Sequence, residues 1–382
     1  MSDIIFLAAS YGTGHIKVAL ALQSAISREN PGVETKVIDF IELVDPYLNE
    51  ISQWVFIKIL KYYPSLWGRF FKRTENVDIG SFQHNLFNTL GSSKLVDLLK
   101  EENPKVIVCT YPVQVGVLSR LKRLGIIDIP IVSVVTDIAV HSFWLHPYVD
   151  LYIVANDMAK DILISKGVPT YKIADTGIPI DPKFAEPFHK DSAYGLFGLR
   201  KDIPVVSAMM GGYGLESKLI EVIDALSEID QPFQGIIVTG RNERLKKMLT
   251  EKVRGRDNIK VFGYINNIRE LIGISDILIT KAGAVTISEA LAMETPMILY
   301  GVIPGHEEEN AQFLLKNEAA LVSYNKFELE ENIKFLFTNK NIVERIKSIE
   351  RRLKRPGSAI DGARLILNLC GNSKPVLYTN KK

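Results

Sequence analysis

Cysteine is scarce in this chain, with two among 382 residues. Cys109 lies inside an apolar run, and Cys370 is far from it in the sequence. Two distant thiols favour neither a disulfide framework nor a zinc site built from thiolates. A reducing compartment, the cytoplasm, is therefore the expected setting.

An excess of charge of one sign is also missing. The chain has 46 lysines and arginines against 44 aspartates and glutamates, which leaves a net charge of +2. A chain so close to neutrality offers no global electrostatic attraction to nucleic acid, so no nucleic-acid partner is expected.

Long apolar runs are missing too. The sequence has no run of about 18 apolar residues, so no segment is expected to cross a membrane. No basic residue lies among Met1, Ser2 and Asp3, and the apolar run 4–9 follows directly. This start predicts a first strand rather than a signal peptide.

Two successive series of apolar runs alternate with helical patterns. The first series lies at 4–9, 35–40, 106–110, 131–136 and 151–155, and the second at 205–210, 235–239, 260–262, 276–280, 297–300 and 320–322. This alternation predicts an α/β fold of two Rossmann-like domains facing a central cleft. We expect domains at 1–177 and 188–355, a proline-containing linker at 178–187, and a C-terminal helix within 358–382 that rejoins the first domain.

The loop after the first strand is the first candidate site. Gly12, Gly14 and His15 lie directly between the strand and a helix, where glycines allow a tight turn and the helix offers N–H donors. The pattern is neither the full dinucleotide-binding fingerprint nor a P-loop. Because ligands of α/β proteins bind at this edge of the sheet, we favour a catalytic His15 over a capping or core histidine.

Asp137 ends another strand of the first domain and could orient His15 or replace it as the base. His141, His146 and Asp150 follow closely. Their spacing matches no familiar metal motif, so no metal is expected, and packing of the loop is about as good an explanation as function.

Two loops of the second domain are typical of phosphate binding. Gly211, Gly212 and Gly214 follow one strand, and the 281–283 loop (Lys281, Ala282 and Gly283) joins another strand to a helix. The N–H groups of such helix starts hold anions. Lys281 either adds a cation to the site or points to solvent.

Carboxylates near these loops could bind hydroxyl groups. Glu289 lies about one and a half turns into the helix and could accept from both ribose hydroxyls, although a surface position is the alternative. Glu307 belongs to a second, acid-rich helix start, and Gly263 and Tyr264 lie where a base could stack. Phosphate loops flanked by such carboxylates indicate a nucleotide-sugar pocket and hence a glycosyltransferase.

The segment 54–73 interleaves aromatic and basic residues, with no acid between Glu50 and Glu75. This composition is typical of a helix at a membrane interface. The alternative is a buried helix pair with a solvated basic edge.

Together these motifs resemble one family. The matching pieces are 10–15, 136–137, 144–150, 176–180, 240–242, 280–291 and 304–310. In them the chain is similar to the monogalactosyldiacylglycerol synthase and processive diacylglycerol glucosyltransferase group, inverting enzymes of the GT-B fold. The resemblance runs from about residue 4 to residue 322.

The resemblance implies roles for individual residues. His15, with Asp137, would be catalytic, Glu289 would bind the ribose and Glu307 the donor hexose. The full donor-binding set it implies is Gly14, Gly211, Gly212, Gly214, Arg241, Gly263, Tyr264, Lys281, Ala282, Gly283, Thr286, Glu289, Glu307 and Asn310. Two positions depart from the family: His306 stands where glutamine is usual, and Asp181 where arginine is frequent. The first concerns donor-hexose selectivity and the second the binding of UDP or anionic lipid.

The expected activity is transfer of a hexose, glucose rather than galactose, from a UDP-sugar to diacylglycerol at the cytoplasmic membrane face, with neither metal nor other cofactor. Three alternatives share the fold or the ligand. They are a UDP-N-acetylglucosamine-dependent transferase of lipid-linked peptidoglycan precursors, a UDP-sugar epimerase, and a UDP-sugar-binding regulator without turnover.

Overall fold

The computed structural model describes residues 1–10, 12–45, 58–59, 63–74, 91–211 and 216–372. These residues divide into two compact units. The first extends to Pro182 and resumes at Gly357, and the second comprises Lys183–Pro356 together with Tyr63 and Pro64.

The first unit is built on a parallel sheet, with six strands in the described residues and the order β2-β1-β3-β4-β5-β6. The strands are β1 (Ile4–Ala8), β2 (Thr35–Asp39), β3 (Val106–Cys109), β4 (Ile131–Val134), β5 (Leu151–Ile153) and β6 (Ile173–Ala174). Every residue of β1, β3 and β4 is buried, as the continuous apolar runs predict for parallel strands covered on both faces.

Helices cover the first sheet. They are α1 (Gly14–Glu29), α2 (Phe40–Val44), α3 (Pro64–Thr74), α4 (Ser92–Glu102), α5 (Pro112–Arg123), α6 (Asp157–Ser165) and the C-terminal α15 (Ser358–Asn372). α15 packs along α1, and Gly362 permits the close approach, because a Cβ there would lie 3.0 Å from Leu22 Cδ2. The Arg364 guanidinium pairs with Glu29 at 2.8 Å across the same contact.

The second unit has a parallel sheet of the order β12-β11-β10-β7-β8-β9 in the described residues. Its strands are β7 (Val205–Met209), β8 (Gln234–Val238), β9 (Ile259–Phe262), β10 (Ile277–Thr280), β11 (Met297–Tyr300) and β12 (Ala320–Ser323). The predicted α/β class with two Rossmann-like sheets is thereby confirmed.

The helices of the second unit complete the α/β alternation. They are α7 (Lys190–Phe197), α8 (Glu216–Ser227), α9 (Glu243–Lys252), α10 (Ile268–Ile274), α11 (Ala284–Met293), α12 (His306–Lys316), α13 (Lys326–Thr338) and α14 (Lys340–Leu353). Within the described part of the chain, no helix is long and apolar enough to span a lipid bilayer.

Each sheet has one point at which the strand order reverses. In the first sheet the chain leaves β1 for β2 on one side and returns for β3 on the other. In the second it passes from β7 to β8 and β9, then returns for β10 beside β7. Ligands of open α/β sheets bind outside the carboxyl ends of the strands at such points. The loops after β1 and β3, and after β7 and β10, are therefore where sites are expected.

The segment 178–187, predicted to be a linker, is pinned by the start of α15. The Ser358 hydroxyl donates to the Ile178 carbonyl at 2.8 Å and accepts from the Ile180 N–H at 3.3 Å. Ile178 and Ile180 are both buried. The stretch that leaves the first unit is therefore bonded to the stretch that re-enters it.

Glu350 on α14 is a fully buried carboxyl group, and neither of its oxygens has a hydrogen-bond partner in the described residues. Burial raises its pKa well above its usual range. A raised pKa in the folded state adds stability below the pKa of the unfolded chain, and this stability is lost as pH rises through the folded pKa. Glu350 therefore weakens the fold at neutral and alkaline pH.

We expect Glu350→Gln to raise the free energy of unfolding by about 1–3 kcal/mol at pH 7.5, because the neutral amide avoids the ionisation problem. The gain should shrink as pH falls towards 4.5, the ordinary pKa of a glutamate, because below it both states of the wild type become protonated. Urea titrations at a series of pH values measure it. Glu344→Gln, at an exposed position of the same helix, is the matched control. Destabilisation of Glu350→Gln at pH 7.5 would mean that the buried carboxylate is paired.

Candidate functional site

His15 lies in the first turn of α1, at the reversal point of the first sheet. Its Nδ1 is 2.7 Å from the Thr110 carbonyl oxygen and 2.9 Å from the Thr136 hydroxyl, and these residues follow β3 and β4. The Tyr111 ring meets the imidazole edge-on, with centroids 5.0 Å apart. Loops after three strands thus fix the ring, as the sheet edge predicted.

These contacts determine the tautomer of His15. A carbonyl oxygen can only accept, so Nδ1 carries the proton and donates it to Thr110. In the neutral imidazole the lone pair is then on Nε2. The arrangement suits a general base, whose orienting group binds one ring nitrogen while the other takes the proton.

Asp137 follows Thr136 and is half-buried. Among the described residues it forms no hydrogen bond or ion pair with His15, whose Nδ1 is held instead by two neutral oxygens. Its suggested role as the partner of His15 stays a prediction. Asp39 lies at the end of β2. It accepts a hydrogen bond from the Ser10 hydroxyl, in the loop between β1 and α1, and it caps the N-terminus of α2.

The polar residues after Asp137 are held by contacts within the first unit. His141 Nδ1 accepts from the Phe143 N–H at 3.3 Å, and its ring packs on Phe71 with centroids 4.2 Å apart. His146 Nε2 lies 3.2 Å from the Phe143 carbonyl oxygen. Asp150 accepts from Lys122 at 2.6 Å and from the Ile131 N–H at 2.8 Å. The described residues contain no cluster of histidine, cysteine or carboxylate side chains that could hold a metal.

The structure describes only part of the predicted membrane-contact segment 54–73. Residues 58–59 and 63–73 are described, and 64–73 belong to helix α3; residues 54–57 and 60–62 lie outside the described residues. The C-terminal end of α3 is fastened to the loop after β4, because the Ser142 hydroxyl donates to the Thr74 carbonyl at 2.6 Å and His141 Nε2 lies 3.1 Å from the Phe71 carbonyl. Leu66, Arg69 and Arg73 are exposed at positions 3 and 4 residues apart, so they share one face.

The 281–283 loop lies at the reversal point of the second sheet, directly after β10. Gly283 is the N-cap of α11, no side chain caps this N-terminus, and no acid lies in its first turn. An uncapped start that follows a strand directs the backbone N–H groups of its first turn at an anion. Ala282 is fully buried, and Thr286, in the first turn, is half-buried.

The Lys281 side chain is partly exposed, and its end is directed at Glu307 of α12. Its ammonium group pairs with Oε1 of Glu307, which is 1% exposed. Oε2 of Glu307 accepts from the Ile303 N–H at 3.3 Å. Asn310, also buried, donates to the Ala282 carbonyl at 3.0 Å, which connects α12 to the 281–283 loop.

Gly305 gives α12 its entry geometry. It is the N-cap with φ 105°, a conformation that residues with a Cβ rarely adopt, and Pro304 precedes it. Glu307, Glu308 and Glu309 fill the first turn, where negative charge is favoured by the helix dipole.

Of the other predicted donor-site residues that the structure describes, Gly14 is the first residue of α1 in the first unit, and the rest lie at or near the same edge of the second sheet. Glu289 is 5% exposed on α11, so the surface alternative is wrong for this side chain. Gly211 follows β7 with φ +72°. Gly212 and Gly214 lie outside the described residues. After β8 and β9, the Arg241 guanidinium lies 5.2 Å from the centre of the exposed Tyr264 ring, and Gly263 beside it is buried.

Sequence reasoning missed two residues of these sites. Thr110 was counted only as the end of an apolar strand, although a polar residue at the carboxyl end of a parallel strand is itself a signal. Ile303 donates its backbone N–H to Glu307, and no sequence motif indicates such a backbone contact.

Comparisons with known proteins agree with this geometry. Residues 15–180 match the family model for monogalactosyldiacylglycerol (MGDG) synthase. Residues 210–355 match the glycosyltransferase family 28 C-terminal domain. A processive diacylglycerol beta-glucosyltransferase of Bacillus mycoides (strain KBAB4) is 32% identical over 361 residues, which cover 93% of this chain and 91% of the relative.

Solved structures are similar in fold. MurG of Acinetobacter baumannii superposes with a TM-score of 0.62 at 15% identity, over 96% of this chain and 100% of its own. A UDP-GlcNAc 2-epimerase from Neisseria meningitidis bound to UDP-GlcNAc gives a TM-score of 0.60 at 14% identity, over 96% of this chain and 99% of its own. At such identities the likeness concerns the GT-B-type fold alone, whereas the family models and the Bacillus relative concern the sequence.

The uncapped phosphate-type loop, the buried carboxylates beside it and the oriented histidine are thus found in a sequence that two glycosyltransferase family models match along most of its length. The chain belongs to the glycosyltransferase family that comprises the monogalactosyldiacylglycerol synthases and the processive diacylglycerol beta-glucosyltransferases.

Proposed function

We propose that this enzyme transfers glucose from UDP-glucose to the hydroxyl group of diacylglycerol, with inversion to a β-linkage. The acceptor class is supported by the MGDG synthase match and by the name of the Bacillus relative. The single observation that carries the proposal is that a buried carboxylate, Glu307, pairs with Lys281 of the loop that leads into the uncapped start of α11, at the reversal point of the second sheet.

The donor would be held by the second unit. The N–H groups at the start of α11 would bind the diphosphate, supported by the glycine loop that begins at Gly211. Glu289 would accept from the ribose hydroxyls and Glu307 from those of the hexose. Tyr264 offers an exposed ring, already stacked on Arg241, against which the uracil could pack.

The acceptor would be activated by the first unit. Nε2 of His15 would take the hydroxyl proton as the oxygen attacks the anomeric carbon from the face opposite the diphosphate. Donors at the α11 start would stabilise the negative charge on the departing UDP. A single displacement of this kind inverts the anomeric centre.

One experiment tests the substrate assignment. Purified protein is incubated with phospholipid vesicles that contain diacylglycerol. Radiolabelled UDP-glucose, UDP-galactose or UDP-N-acetylglucosamine is added in turn, and the lipids are then separated. We expect label in a glycosyl-diacylglycerol with UDP-glucose and less with UDP-galactose. Label in no lipid, with conversion of UDP-N-acetylglucosamine to its epimer, would favour the epimerase alternative instead.

The exposed basic face of α3 is proposed to contact anionic lipid. Each basic residue near a charged membrane surface contributes about 1 kcal/mol, so Arg69, Lys72 and Arg73 replaced together by glutamine should weaken vesicle binding about 100-fold at low salt. Co-sedimentation with vesicles containing phosphatidylglycerol measures this.

The matched control replaces Arg244, Lys247 and Arg256, which are exposed in the second unit, and lowers the net charge equally. Equal losses in the two triple variants would show that overall charge, and not the face of α3, attracts the protein to the membrane.

A further inference from the structure

The Lys281 side chain extends from the 281–283 loop past Gly211, and its ammonium group contacts Glu307. We propose that Lys281 is a positioning residue of the donor-hexose site. Its ammonium group holds the buried Glu307 carboxylate in position to meet the sugar hydroxyls, and it does not serve as a ligand of the diphosphate. This inference rests on the proposed function of Glu307 as the hexose contact.

Glu307 needs a cation where it lies. It is 1% exposed, and burying an unpaired carboxylate is far more costly than burying one that is paired and hydrogen-bonded. Among the residues that the structure describes, Lys281 is the cation paired with it, and the Ile303 N–H is its other donor. If the Lys281 ammonium moved to the diphosphate, Glu307 would lose its counter-charge while still buried.

The two recorded partners leave acceptor capacity on the carboxylate. Lys281 binds Oε1 and Ile303 binds Oε2, whereas an ionised carboxylate has about four lone-pair sites. The remaining sites are sufficient in number for two neighbouring hydroxyl groups of a hexose.

The glycines beside Lys281 make room for this arm. A Cβ at Gly211 would lie 3.0 Å from Lys281 Cε, and a Cβ at Gly283 would lie 3.2 Å from Lys281 Nζ. The absence of a side chain at both positions therefore leaves space for the Lys281 side chain as well as for a phosphate. This side chain passes between Gly211 and Gly283 and is directed at α12.

The diphosphate has another source of positive potential. The α11 N-terminus carries no side-chain cap, and its first turn has no acid, so its N–H groups are placed for an anion. The two parts of the donor are thus assigned to different groups: the diphosphate to the helix start, and the hexose to the Lys281–Glu307 pair.

Isothermal titration of the full chain with UDP and with UDP-glucose tests the assignment. Lys281→Met should weaken UDP-glucose binding about tenfold and change UDP binding less than about twofold, and Lys281→Arg should recover most of the UDP-glucose affinity. In a Glu307→Gln background, Lys281→Met should have no further effect, because a neutral amide needs no counter-charge. Thermal melts of each variant establish that it is folded.

Lys252→Met is the matched control, since Lys252 also pairs with a carboxylate of the second unit, Asp224, at 2.7 Å. Parallel losses of UDP and UDP-glucose affinity in Lys281→Met would overturn the inference and make Lys281 a diphosphate ligand. Unchanged affinities, or additive losses with Glu307→Gln, would overturn it as well. Failure of the wild type to bind UDP would instead count against the proposed function.

Discussion

Replacing His15 with alanine should lower kcat/KM for lipid glycosylation by about 10³-fold, while the Kd for UDP stays within about twofold of the wild type. The physical reason is the loss of the base. The Thr110 carbonyl oxygen and the Thr136 hydroxyl fix the proton on Nδ1, so Nε2 is the nitrogen with the lone pair. Alanine removes that acceptor and leaves the donor-binding residues of the second unit untouched.

Two controls separate this role from a structural one. His189→Ala changes an exposed histidine and should leave the rate unchanged. Added imidazole should restore part of the activity of His15→Ala, since a small base can occupy the space left by the side chain. Full activity in His15→Ala would remove the histidine from the mechanism.

Replacing Glu289 with glutamine should weaken UDP and UDP-glucose binding in parallel, by about 10- to 100-fold. A carboxylate that accepts from two hydroxyl groups makes charge-assisted hydrogen bonds, and the neutral amide loses this charge. Glu289 is buried on α11, two turns or less from the helix start that would hold the diphosphate, so the ribose contact belongs to both ligands.

The ribose assignment can be checked on the ligand instead of the protein. The wild type should bind 2′-deoxy-UDP more weakly than UDP, and Glu289→Gln should bind the two almost equally. A variant that still discriminates against the deoxynucleotide as strongly as the wild type would show that another group reads the ribose.

The strands could be predicted from the sequence because both sheets are parallel and covered on both faces. Such strands are continuous apolar runs, and β1, β3, β4 and β7 are buried at every residue. The amphipathic C-terminal helix was recognisable as well. The helix was expected to rejoin the first domain, but α1 could not be identified as its packing partner, because the fit of Gly362 against Leu22 depends on shape and not on periodicity.

The candidate sites were partly predictable for the same reason. The edge of a parallel sheet identifies His15 and the 281–283 loop from position alone. What holds them comes from far away in sequence: Thr136 is 121 residues from His15, and Glu307 is 26 residues from Lys281. That Lys281 pairs with Glu307, and that His141 packs on Phe71, could be learned only from these tertiary contacts.

The central proposal is the single, inverting transfer of glucose to diacylglycerol, and the anomeric configuration of the product tests it most directly. Wild-type protein is incubated with diacylglycerol vesicles and UDP-glucose labelled with ¹³C at the anomeric carbon, and the extracted lipid is examined by NMR. The proposal predicts a glucosyl-diacylglycerol in which the coupling between the H1 and H2 protons of the glucose is large, as in a β-glucoside. It also predicts that one UDP is released per sugar transferred. An α-glucoside, or UDP release with no labelled lipid, would contradict it.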